Sequence, residues 1–114
     1  MTECTIELEK YRAKEGNRVS KVFTGRDKGK YVREDSKIDE LVNKFDKVII
    51  VIPNNIYSIN PSFLEEFIVN VVKKFGKEGF LSKVEFKSLG DYEYEAPLYQ
   101  AIDRILKEQT ALDK

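Results

Sequence analysis

The hydrophobic pattern changes period most sharply between Lys47 and Gly76. A wholly apolar run at 48–52 predicts a strand covered on both faces, the mark of an interior parallel strand. After an eight-residue connection, Asn60-Pro61-Ser62 predicts a helix start. Asn60 is a good N-cap, and Pro61 at the first helical position gives up only an N–H that would be unpaired anyway. Phe63, Leu64, Phe67, Ile68, Val71, Val72 and Phe75 then recur at helical spacing, and Gly76 is expected to end the helix.

Elsewhere the pattern is weaker. Cys4, Ile6 and Leu8 alternate with polar neighbours, the period of a half-buried strand. A turn at Gly16-Asn17 and a returning strand over 18–24 follow, since Val19, Val22 and Phe23 favour extended backbone. Residues 25–33, basic and punctuated by glycine, predict a loop. Asp35 or Ser36 is the expected cap of a short helix carrying Ile38, Leu41, Val42 and Phe45. Val84 and Phe86 alternate with Lys83, Glu85 and Lys87, a strand with one solvated face and so near a sheet edge. Leu98, Ala101, Ile102, Ile105 and Leu106 share one face of a closing helix. The order is β-β-α-β-α-β-α. It predicts one α/β domain over 1–114, with 1–3 and 110–114 frayed, whose helices pack on a four-stranded, mixed, mostly parallel sheet.

Composition then removes function classes. Lys plus Arg number 20 and Asp plus Glu number 20, so no global field draws the chain to nucleic acid or anionic lipid. There is no histidine, the commonest neutral-pH base and metal ligand. The single cysteine, Cys4, is read as a small core residue, and one thiol fits a reducing compartment. With no apolar leader and no long apolar run, the expectation is a soluble cytoplasmic domain with no membrane contact. No phosphate-binding glycine motif, nucleophile elbow or Cys/His cluster occurs. The chain is therefore read as non-enzymatic, with no cofactor and no metal site.

The segments NNIYSINPSFLEEF (54–67) and FGKEGFLSKVEF (75–86) resemble the STAS-like family of small bacterial and phage-borne domains, relatives of the anti-sigma-factor-antagonist fold. Members commonly show an apolar strand, a loop ending in Ser-Ser-Phe, an apolar helix, and Phe-Gly followed by a Val-x-Phe strand. FTGRDKGKYVRE (23–34) is similar to the stretch before the family's first helix. The resemblance covers about residues 20–90. It implies a regulatory module that docks a protein partner, with an ATP-binding, kinase-like regulator as one such partner. It also implies a phosphoacceptor at the helix start. Here that position falls on Pro61, which has no hydroxyl, so Ser62 is the remaining candidate phosphosite. A phosphate there is compatible with the helix dipole, whereas helix-end capping accounts for Ser62 without it.

Two readings follow. In the first, a protein partner docks on the loop and helix start at 54–66, through Asn54, Asn55, Tyr57, Ser58, Ile59, Asn60, Ser62 and Glu65. Tyr57 and Ile59 matter most there, because apolar groups in a solvated turn invite a partner; burial under the loop is the competing explanation. In the second, Arg26, Lys28, Lys30 and Arg33, with Tyr31 among them, bind nucleic acid or a small phosphate ligand. Asp27, Glu34 and Asp35 interrupt that run, as they do in ordinary solvated loops. The tyrosine-acid stretch 91–95 is either a wet connection or a further contact patch. A homodimer through an edge strand is also open.

Overall fold

The computed structural model describes residues 2–112. Three strands form the main sheet: β1 (Glu3–Glu7), β5 (Lys47–Ile52) and β7 (Val84–Ser88), in the order β1-β5-β7 and all parallel. Between β1 and β5 lie β2 (Lys14–Glu15), β3 (Arg18–Val19), β4 (Val22–Phe23) and the helices α1 (Arg26–Ser36) and α2 (Ile38–Lys44). Then come β6 (Ser58–Ile59) and α3 (Pro61–Lys83) before β7, and α4 (Glu95–Leu112) after it. Of the ends expected to fray, 1–3 and 110–114, Glu3 lies in β1 and 110–112 lie in α4, while Met1 and 113–114 lie outside the described residues.

The register explains the core. Ile6, Ile50 and Phe86 are cross-strand neighbours, as are Cys4, Val48 and Val84, and they point into the buried layer beneath the helices. Burial pushes the Cys4 thiol pKa up, in keeping with its place against that core. The other face of the sheet departs from expectation. Thr5 and Glu85 flank a half-buried Ile49, and Glu7 and Lys87 flank Val51. All four flanking residues are exposed. The apolar run at 48–52 therefore marks a central strand, as its sequence predicts, but not one covered by helices on both faces.

The predicted strand at 18–24 is not part of this sheet, which is why the sheet has three strands and not four. The chain turns at Gly16-Asn17, where β2 and β3 pair antiparallel. After Ser20 it breaks away, and β4 pairs in parallel with β6. Arg12 anchors the hairpin: its buried guanidinium donates from Nε to the Ser20 carbonyl at 2.9 Å and pairs with Glu9 at 3.0 Å.

Residues 26–33 are helix, not loop. Gly29 is there because α1 crosses α3 in near contact, and a Cβ at this position would lie 2.3 Å from the Phe63 carbonyl oxygen. Tertiary packing has overridden the local propensity of Gly29, while Gly25, at φ 90°, stays outside the helix as its N-cap. Asp35 and Ser36 consequently lie inside α1, and the break before α2 falls at Lys37, in the left-handed region at φ 59°. Its N–H closes α1 on the Arg33 carbonyl at 3.1 Å.

α3 begins as the sequence predicts, with Asn60 Oδ1 accepting from the Ser62 N–H at 2.8 Å. Gly76 interrupts it at φ 74°, ψ 177°, but helix resumes to Lys83. The face of α3 bearing Phe63, Phe67, Ile68, Val71 and Val72 is fully buried, and Leu98, Ala101, Ile102 and Ile105 of α4 join the same core.

Candidate functional site

Parallel neighbours release their chains at the same end of a sheet, so the loops after β5 and β7 must meet. They enclose an open cleft of about 580 Å³, lined by Asn54, Asn55, Ile56 and Tyr57 from one loop and Gly90, Asp91, Tyr92 and Glu93 from the other. Gly90 makes the approach possible, since a Cβ there would stand 3.1 Å from Asn54 Cα. Asn55 turns the first loop in the left-handed region at φ 67°, which asparagine tolerates better than most residues.

Three hydrogen bonds hold the first loop to β4 and its flank. The Tyr57 N–H donates to the Lys21 carbonyl at 2.6 Å, the Ser58 N–H to the same oxygen at 3.3 Å, and the Asn60 N–H to the Phe23 carbonyl at 2.9 Å. From the other side Tyr92 Oη accepts from the Ile59 N–H at 3.0 Å. Tyr94 stacks on Phe86 with centroids 5.5 Å apart, and burial, then the nearby Glu95, raises its pKa. The 91–95 stretch thus fastens the second loop to the first and to the core.

Against this fixed backbone the side chains divide. Tyr57 is 82% exposed, the most exposed large side chain of its kind among the described residues. Asn54, Asn55 and Asn60 are exposed and Ser58 is half-buried. Ile59 is 2% exposed and belongs to the core, so it does not offer a docking surface. Burial under the loop is the physical reason, and Ile56 behaves likewise. Ser62 is half-buried, its hydroxyl donating to Asn60 Oδ1 at 2.8 Å as part of the cap.

Glu65 also departs from the docking expectation. It is buried where three helices meet, with Arg26 of α1 at 3.1 Å and Arg104 of α4 at 3.9 Å. Arg26 reaches Glu66 as well, at 3.5 Å, and Arg33 donates to the Glu66 carbonyl at 2.6 Å. Two of the four cations expected to bind an anion are therefore committed to α3. Lys28, half-buried, and Lys30, exposed, enter no ion pair among the described residues. Tyr11 closes the far end of α1 by donating to Asp35 Oδ2 at 2.8 Å; burial first, then that bond, pushes its pKa up to about 12.

Sequence reasoning treated 91–95 as a patch separate from 54–62 and missed that Gly90 packs on Asn54. The signal was present in the topology. Two strands predicted to be parallel neighbours must place their following loops side by side.

The chain belongs to the STAS-like family: residues 28–93 match the model of the STAS-like domain of unknown function (DUF4325). The match runs from the first turn of α1 through both loops of the cleft. No curated protein and no solved structure matches the chain. Among the described residues no helix is long and apolar enough to cross a membrane, and no group of three or more metal-ligating side chains is assembled.

Proposed function

We propose that this chain is a non-catalytic regulatory module that docks a protein partner on the cleft between residues 54–58 and 90–93. The observation that carries this reading is Tyr57, held out into solvent on a backbone fixed from two sides. A rigid aromatic group loses little freedom on binding and is the kind of side chain that anchors interfaces. Asp91 and Glu93 line the same cleft and make no ion pair among the described residues, so they steer the partner's basic groups. Both hydroxyls best placed for chemistry, Tyr92 Oη and Ser62 Oγ, already serve the loop backbone and the helix cap. A kinase-like, ATP-binding regulator is the partner class that the family relationship suggests.

The test is affinity capture from the native host with wild-type chain, Tyr57→Ala, and the double reversal Lys28→Glu/Lys30→Glu. A protein retained by wild type and by the lysine reversal but lost with Tyr57→Ala supports the cleft. Loss with the lysine reversal and indifference to Tyr57 moves recognition to α1 and overturns the proposal.

A further inference from the structure

Among the described residues β7 has a strand partner on one side only. The Leu89 N–H donates to the Ile52 carbonyl at 2.9 Å, so strand alternation turns the odd-numbered peptide groups of β7 towards β5 and those of Val84, Phe86 and Ser88 outward. The Val84 N–H is taken by the Phe80 carbonyl where α3 ends, but among the described residues no strand pairs with this outer edge, which leaves the Val84 carbonyl and the peptide groups of Phe86 and Ser88 open. β1 carries the opposite free edge: the Lys47 N–H donates to the Thr2 carbonyl at 3.1 Å, which leaves Glu3, Thr5 and Glu7 turned outward.

We infer that two copies of this chain pair through β7, antiparallel about Phe86, into one continuous six-stranded sheet. In that register every open outward group of β7 but the Ser88 carbonyl finds a partner: Phe86 faces Phe86 of the second copy and exchanges two bonds with it, and the Ser88 N–H meets the Val84 carbonyl of the second copy, whose own N–H stays on Phe80. Glu85 then stands opposite Lys87 of the second copy, twice by symmetry. Both pairs fall at non-hydrogen-bonded sites, where facing Cα atoms are only about 4.5 Å apart and side chains are closest. Glu85 and Lys87 lie on the exposed face of the sheet and make no ion pair among the described residues. Leu89, 58% exposed directly after the strand, falls within the footprint.

The same operation on β1 fails. Pairing β1 with itself about Thr5 sets Glu3 against Glu7 at both ends, acid on acid. One edge accepts its own copy and the other repels it, so assembly closes as a two-fold dimer and does not run on as a filament. The two-fold axis stands normal to the sheet, which keeps both helical layers on the same side.

The experiment is sedimentation equilibrium on the full chain, its charge variants and their mixtures, with circular dichroism verifying the fold. Wild type is a dimer. E85K and K87E, each alone, weaken dimerisation roughly tenfold or more, because attraction becomes repulsion at both pairs. An equimolar mixture of E85K and K87E recovers the dimer, and so does the double swap E85K/K87E. A monomeric wild type, a dimer indifferent to the single reversals, or a mixture that fails to recover would overturn the assignment.

Discussion

The α1–α3 crossing and the β5/β7 cleft lie on the same domain and have opposite characters. At the crossing, charge meets charge: Arg26 and Arg33 engage Glu65 and Glu66, and Gly29 lets the backbones nearly touch. At the cleft, backbone groups are tied down while side chains face water, Tyr57 most of all. Composition alone suggests the reverse, since the crossing contains the basic, glycine-bearing segment that looks like a ligand loop. The comparison teaches that a charged residue indicates a binding site only if the fold leaves it without an internal partner.

The sharpest way to break the contrast is Gly29→Ala. On an isolated helix alanine is better than glycine by about 1 kcal/mol. Here its Cβ meets the Phe63 carbonyl, so we expect a net loss of about 2 kcal/mol in urea unfolding. A stabilised variant would mean the helices do not cross so closely. Next is Glu65→Ala, which removes the carboxylate shared by Arg26 and Arg104. Both arginines are about half exposed and can rehydrate, so the expected cost is about 1.5 kcal/mol, below that of a fully buried pair. No change would show the three-helix junction to be held by apolar packing alone.

The cleft side should respond more weakly in stability. Tyr92→Phe leaves the Ile59 N–H without its hydroxyl partner, at an expected cost of about 1 kcal/mol. Faster amide exchange at Ile59 is the local readout. Tyr57→Ala should change unfolding free energy by less than about 0.5 kcal/mol, because its side chain touches little. A larger drop would place Tyr57 among the residues that hold the loop, and would remove the division between framework and recognition.

How far these features were legible differs by element. The strand at 48–52, the Asn60 cap with Pro61, and the apolar face of α4 were readable, because local pattern and tertiary role agree there. α1 was not: Gly25 and Gly29 carry a turn signature, and the reason for Gly29 is a carbonyl 34 positions later in the chain. The short β4–β6 ladder was also hidden, since two residues per strand produce no periodicity. Within the candidate site, Tyr57 was legible as an apolar group in a connection. Ile59 carried the same signal two positions later, yet it lies in the β4–β6 ladder opposite the buried Phe23 and joins the core, while Tyr57 precedes that ladder. Glu65 shows the same limit, because its burial depends on arginines from two other helices.

The most direct test of the recognition claim is hydrogen–deuterium exchange on the chain with and without the captured partner. Docking on the cleft predicts slower exchange across 54–58 and 90–93, with α1 unchanged. Protection centred on 26–33, with both cleft loops exchanging as in the free chain, would contradict it.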